Sequence, residues 1–326
     1  MKTAVVLGGT GMIGRAVVRR LREEGWDVTV ASRGQRDPAD LVLDRENGLD
    51  TVPGCDTLVD VVAFDERHGA QLLTLADRVG SLVVISSASV YADDTGRSLD
   101  EAEDEESFPL LPLPVSETQR TVEPGAETYS TRKAALERVL LQQDEIPATV
   151  IRPCAVHGAG AEVPRELYFV KRALDGRRFV LLAHRGESVF HTTSVKNLAE
   201  LVRLAAEQPG TRVLNCGDPD PPSVLEISRA VGHVLAREVV ECLVPAQPEV
   251  AANPWAVPRP FVLDMRAAEA EFGYRPLIAY KDAVADTVSW LTKRRPEPVG
   301  YMARLFNYEG EDEYLRGLGR GDVSGA

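Results

Sequence analysis

The sequence predicts an α/β fold, a doubly wound parallel sheet with a smaller C-terminal part interleaved with its last strands. Three observations carry this expectation. Short β-rich runs alternate with helical patterns through the first 155 residues. Several of those runs are apolar throughout, as strands covered on both faces are. A glycine-rich turn joins the first run to the first helix. In order, "TAVVL" is the first strand, and "MIGRAVVRRLREEG" follows it as a helix. Ile13, Val17, Val18 and Leu21 form one apolar stripe along that helix, and Gly25 closes it. "DVTVAS", "ADLVLD", "CDTLVDVVAF" and "SLVVISS" are the next strands, with a helix in "GAQLLTLADRVG" before the last of them. A helix opening at Tyr129 ends before Pro147, and "ATVIRP" is the strand after it. The second half has Pro-rich breaks at "GDPDPPS" and "NPWAVPRP" and helices near 223–236 and 281–294.

Bulk properties narrow the function. A chain of 326 residues, 44% apolar and 27% charged, has ample length for a core. A formal charge of −13 argues against nucleic acid as a general partner, because phosphate binding needs a basic surface. Cys55, Cys154, Cys216 and Cys242 are scattered without zinc spacing, and the five histidines show no HxH or HExxH pattern. We therefore expect reduced thiols, no metal site and a cytoplasmic protein. No apolar run is long enough for a bilayer span, and "MKTAVVLGG" is too short for a signal peptide, so no membrane partner is expected.

"VVLGGTGMIG" sets Gly8, Gly11 and Gly14 between a strand and a helix. Glycine permits the tight turn and lets backbone N–H groups approach a pyrophosphate at the helix N-terminus. Leaving the first strand of a βαβ unit, this is a Rossmann-type dinucleotide cradle, comprising Gly8, Thr10, Gly11, Met12, Ile13 and Gly14. An NAD site usually carries an acid at the end of the second strand, whereas "DVTVASRG" ends in Ser32 and Arg33. A guanidinium suits a 2′-phosphate, so NADP is favoured over NAD; the plain alternative is an Arg33 that faces solvent or stacks on adenine. Asp44, ending "LVLD", either reaches the adenine amino group or sits in a surface turn. The dinucleotide-binding domain is expected over 1–158 with returning segments at about 188–217 and 236–250. The substrate part is expected over about 159–187 and 218–326.

Together "GGTGMIG", "VVISSASVY", "YSTRK", "VIRPCAVHG" and "FGYRP" have the order and spacing of the extended short-chain dehydrogenase/reductases. The chain resembles their NAD-dependent epimerase/dehydratase branch from about residue 3 to 295. The resemblance implies Ser87, Tyr129 and Lys133 as catalytic residues. It implies Pro153 and Cys154 as backbone support for the nicotinamide, with Val61, Val62 and Ala63 beside the cofactor. An ordinary Tyr, with a pKa near 10, is a poor base; a Lys⁺ four residues on lies on the same helix face and favours the phenolate. Lys133 would also hold the nicotinamide ribose, and Ser87 would position the substrate oxygen.

Departures refine the subclass. The family's 4,6-dehydratases follow their catalytic Thr with Asp-Glu, whereas Ser87 is followed by Ala88 and Ser89. That leaves epimerisation or ketoreduction at a secondary alcohol or ketone carbon of a sugar-like substrate. The family's diphosphate clamp is half visible. Phe190 stands at one Arg position and Asn197 at the acid of the same turn, while Arg275 matches the second Arg. Arg259 or Arg185 could stand in for the missing one, or no residue does, and Ser89 is a further candidate substrate contact. The alternative from another class is a non-catalytic dinucleotide sensor or RNA-associated protein on the same fold. Relatives dimerise through helices here at about 65–80 and 129–143, and Leu136, Val139 and Leu140 suit either that or a core.

Two segments read as loop. Residues 93–106 carry eight acids against one Arg within a connection over 92–128, expected as a solvated excursion. The tail from 308 is polar and Gly-rich, with its end frayed.

Overall fold

The structure, a computed structural model, describes residues 1–34 and 37–318. The chain forms two compact units. Met1–Val156, Thr193–Asp218 and Leu263–Leu277 make the first; His157–Thr192, Pro219–Val262 and the chain from Ile278 on make the second. In chain order the elements begin β1 (Thr3–Leu7), α1 (Met12–Glu23), β2 (Asp27–Ser32), β3 (Leu41–Val42), β4 (Thr57–Asp60), α2 (Glu66–Leu73), β5 (Leu82–Ile85), α3 (Tyr129–Leu141) and β6 (Ala148–Pro153). There follow β7 (Ala155–His157), α4 (Leu167–Leu174), β8 (Phe179–Leu182), β9 (Thr192–Ser194), α5 (Val195–Glu207), β10 (Arg212–Cys216), α6 (Val224–Leu235), β11 (Val240–Leu243), α7 (Arg266–Phe272), α8 (Tyr280–Arg294), α9 (Tyr301–Arg304) and α10 (Tyr308–Gly317).

The first unit is built on a seven-stranded sheet in the order β10-β6-β5-β4-β1-β2-β3, parallel at every pairing. Its inner strands are the apolar runs of the sequence: β4, β5 and β6 are buried at every residue. Burial on both faces is why their hydrophobicity is continuous rather than alternating. On one face α1 and α5 pack Val17, Leu21, Leu198 and Leu201 over Val6 and Val83. On the other, Leu72, Leu136 and Leu140 of α2 and α3 cover Leu58 and Leu82. The chain runs outward from β1 through β2 and β3, then crosses back to β4. The crevice above the carboxyl ends of β1 and β4 is therefore the topological switch point, where such sheets bind ligands.

The second unit packs α4, α6 and α8 together and carries a two-stranded parallel sheet of β8 and β11. β11 thus pairs away from the large sheet, so residues 236–250 do not return to the dinucleotide unit as expected. Its four residues leave Val240 and Leu243 exposed, the pattern of an edge strand rather than a covered one.

The acidic connection after β5 is not a simple solvated excursion. Asp93 and Ser98 are buried, and Phe108 and Val115 enter the interior. Burial alone would raise the Asp93 carboxyl, but hydrogen bonds from Thr95, Leu110 and Arg97 hold it well below the usual range. The acids of this segment therefore organise its turns, which a charge count cannot reveal. The segment from 308 is likewise helical, with Leu315 buried and Glu311 paired with Arg172 and Arg177. Its final residues, expected to fray, lie outside those described. Among the described residues, no helix is long and apolar enough to cross a membrane.

Candidate active site

The glycine turn sits at the carboxyl end of β1. Gly8 has φ +80, and a Cβ there would lie 2.5 Å from Val62. A Cβ on Gly14 would lie 2.2 Å from the Gly8 carbonyl oxygen, so Gly14 is demanded by close backbone packing and Gly8 by its positive φ and the valine side chains against it. Gly11 differs: a Cβ would meet only the Gly8 oxygen, at 3.3 Å. It is the N-cap of α1 but offers no side-chain cap, and the first turn of the helix has no acid. The N–H groups that open α1 are thus left for an external anion, as a pyrophosphate cradle requires. The residues present fit a dinucleotide.

Beside the turn, Gly9, Thr10, Arg15, Val30 and Asp37 line a cavity of about 670 Å³ together with Arg19 and Arg22. Arg15 donates to the Thr10 carbonyl at 2.8 Å and pairs with Asp37 at 3.0 Å. An acid therefore does stand near the cradle, five residues past the end of β2 rather than at it. Arg33 is exposed, and the Ser32 hydroxyl accepts from the Gly34 N–H at 3.2 Å. Asp44 is also exposed and caps its own turn, accepting from the Glu46 N–H at 3.1 Å.

The candidate reacting groups converge from β5 and α3. Thr128 caps α3, and Asp100 of the acidic connection accepts from both the N–H and the hydroxyl of Ser130, at 3.0 and 2.8 Å. The first turn, and with it Tyr129, is thereby fixed. The Tyr129 ring is 45% exposed and tilts against Phe64, with centroids 5.6 Å apart. Desolvation raises its phenol pKa, the adjacent Ser87 hydroxyl pulls it down, and the Asp100 charge adds to the rise. Ser87, at the end of β5, also accepts from the Ser89 N–H at 3.2 Å. The Ser89 hydroxyl is buried without a hydrogen-bond partner. Lys133 is buried, its ammonium 5.9 Å from the Tyr129 ring centroid and donating to the carbonyls of Ala63 (2.6 Å) and Ile85 (3.0 Å). Burial lowers its pKa to about 8, opposed by the charges of Asp60 and Glu137.

The remaining expected residues fall as follows. Val61 is partly buried, Val62 is 47% exposed and Ala63 is buried, all just past β4. Pro153 ends β6, and the Cys154 N–H donates to Thr193 Oγ1 at 3.1 Å. Arg275 is not drawn in with them. Gly273 ends α7 in the left-handed conformation, Tyr274 turns inward, and the 84% exposed Arg275 side chain pairs with Glu269 on the surface. In the second unit, Arg259 and Arg185 line a cavity of about 340 Å³ with His184, Ser188 and Val257. Phe190 tilts against Phe261, and the Asn197 amide donates to Asp218 at 2.7 Å. Among the described residues, no cluster of His, Cys, Asp and Glu could hold a metal ion.

Sequence reasoning missed the buried ionic groups behind the site. Arg45 pairs with Asp60 at 2.7 Å, and Glu137 accepts from Arg152 and, at 2.5 Å, from the Ser86 hydroxyl. A signal was present, since Asp60 and Arg152 interrupt otherwise apolar strands. A charge there is kept only when paired.

A family model, the NAD dependent epimerase/dehydratase family, matches residues 4–66 and 56–217. The chain belongs to this family. It is an extended short-chain dehydrogenase/reductase, and the cradle, Ser87 and the Tyr129–Lys133 pair lie inside the matched residues. No curated protein matches the sequence. Among solved structures, a UDP-N-acetylglucosamine 4-epimerase from Bacillus cereus is 17% identical, with a TM-score of 0.69 over 90% of this chain and 100% of that one. MoeE5, solved with UDP-glucose and NAD, is 19% identical, with a TM-score of 0.66 over 90% and 100%. A UDP-glucose-4-epimerase from Stenotrophomonas maltophila, solved with NAD and formylated UDP-arabinopyranose, is 18% identical, with a TM-score of 0.69 over 90% and 99%. At these identities the likeness establishes the shared epimerase-type Rossmann fold, and the family establishes NAD-dependent chemistry.

Proposed function

We propose that this chain epimerises a nucleotide-linked sugar at a secondary carbinol carbon and keeps its NAD through the cycle. The observation that carries the reading is the meeting of Tyr129, Ser87 and Lys133 at the strand ends beside the α1 cradle. A bound NAD would supply the hydride acceptor and then the donor, and return to the opposite face of the carbon would invert it. Tyr129 removes the hydroxyl proton and gives it back, which requires a phenol pulled below its present value. The Lys133 charge lies on the correct side for that, and Ser87 holds the substrate oxygen against the phenol. Ala88 and Ser89 provide no acid–base pair for loss of water. Within the second unit, Arg259 and Arg185 line one cavity, and guanidinium groups suit a diphosphate.

For the dinucleotide, the expectation of NADP rested on Arg33 and on a missing acid. Asp37 supplies an acid beside Gly9 and Thr10, already paired with Arg15. MoeE5 and the Stenotrophomonas maltophila epimerase were both solved with NAD. Both support NAD over NADP as the resident form.

Mass spectrometry of the nucleotide released on denaturing the purified chain tests this directly, and we expect NAD in near-stoichiometric amount. An empty protein that binds NADPH better than NADH would favour ketoreduction instead. Tyr129→Phe should retain the nucleotide and lose about 10²–10⁴-fold of turnover on UDP-sugars. Unchanged turnover would leave a dinucleotide-binding protein without this chemistry.

A further inference from the structure

The Lys133 ammonium is seated on backbone, and the backbone is held by a buried charged group. β4 ends at Asp60, a fully buried carboxylate. Its Oδ1 accepts the N–H groups of Val62 and Ala63, each at 2.8 Å, which closes the turn after the strand. Its Oδ2 accepts from Arg45 Nη1 at 2.7 Å. Arg45 is itself fixed, donating to the His68 carbonyl at 3.3 Å and to Gln71 Oε1 at 3.3 and 3.4 Å.

The same turn presents Lys133 with its acceptor. The Ala63 carbonyl takes Lys133 Nζ at 2.6 Å, and the N–H of that peptide, on Phe64, donates to His68 Nδ1 at 3.0 Å. His68 must leave Nδ1 unprotonated to accept. Burial and the Arg45 charge lower its pKa and favour the neutral ring. Ala63 therefore bonds Asp60 through its N–H and Lys133 through its carbonyl. An isolated buried carboxylate would be costly, and packing alone does not require one here, since apolar residues end the neighbouring strands β1 and β5.

We propose that Asp60, paired with Arg45, is a positioning residue for the reaction: it shapes the turn that seats Lys133 and supplies negative charge that keeps Lys133 protonated beside Tyr129. This rests on the reading of Lys133 as the partner of the Tyr129 base. The charged and titratable groups facing Lys133 are Asp60 at the end of β4, Arg45 in the turn after β3, Glu137 on its own helix, and the Tyr129 phenol. Asp60 and Glu137 raise its pKa and Arg45 lowers it.

Two substitutions separate charge from shape. Asp60→Asn keeps an oxygen for the Val62 and Ala63 N–H groups but removes the charge. Arg45→Met removes the counter-charge and leaves Asp60 in place. With ¹³C-labelled lysine, the six lysines can be titrated by NMR in the unliganded full chain, and Lys133→Met identifies the signal. Asp60→Asn should lower the Lys133 midpoint by about one pH unit, and Arg45→Met should raise it. In parallel, NADH affinity of Asp60→Asn should fall more steeply than wild type as the pH approaches 8. Midpoints that stay put, or that move the same way in two folded variants, would overturn the proposal. If Asp60→Asn does not fold, the midpoint in Arg45→Met decides: a raised midpoint shows that an ionised Asp60 still acts on Lys133, and an unmoved or lowered one overturns the proposal. The NMR titration needs neither substrate nor dinucleotide. A wild type that binds no dinucleotide would therefore sink the proposed function while leaving this result readable.

Discussion

At the scale of single residues, Lys133 shows how a buried cation taxes the fold that holds it. Its pKa of about 8 lies below the ordinary 10.5, so the folded chain releases this proton before the unfolded chain does. The group's contribution to stability is therefore full above about pH 10.5 and is lost as pH falls through about 8. Across that window the wild type should gain on the order of 3 kcal/mol relative to Lys133→Met, read by denaturant unfolding of both at each pH. A flat difference would mean that the ammonium is not desolvated. The candidate reacting residues were readable at this scale, since Ser87, Tyr129 and Lys133 stand in a recognisable order. Asp60, Arg45 and Glu137 were not. A charge inside an apolar run names no partner, and the partners lie 15 residues away in both cases.

At the scale of elements, the turn between β1 and α1 separates two uses of glycine that look alike in sequence. Gly14→Ala should lower stability and abolish dinucleotide binding together, because its Cβ would strike the Gly8 carbonyl. Gly11→Ala, at φ −77, should lower the melting temperature far less than Gly14→Ala, since the Gly8 carbonyl oxygen need give by only a few tenths of an ångström, yet weaken NAD binding at least tenfold by filling the cradle. Calorimetric titration beside thermal unfolding distinguishes the two; equal losses in both variants would remove the functional reading of Gly11. Strand and helix placement was legible because periodicity and apolar continuity report burial directly. β11 was misplaced because a four-residue apolar run does not say which sheet it joins. The acidic connection was misread because composition hides where Asp93 and Asp100 aim their oxygens. The stripe of Leu136 and Leu140 that suited a dimer is spent on the interior of its own unit, both residues being fully buried.

At the scale of the whole molecule, the two units depend on buried ion pairs whose partners are far apart in sequence. In the second, Arg172 and Glu311 are both almost fully buried, with Arg177 alongside. Glu311→Ala should cost about 3–5 kcal/mol of unfolding free energy by stranding Arg172. Asp312→Ala, which removes a partly exposed carboxylate, should cost about 1 kcal/mol or less. Comparable losses in chemical denaturation would show that α10 is no more than a surface appendage. The first unit places its own cation under a different constraint. Lys133 bonds carbonyls at the ends of two neighbouring strands, β4 and β5, so the architecture uses it whether or not any substrate arrives. Tyr129, half exposed and merely tilted against Phe64, supports little that the fold could not spare. The hydroxyl at position 129 is thus the part of the site that the fold itself does not require, and its loss should abolish turnover without loosening the first unit.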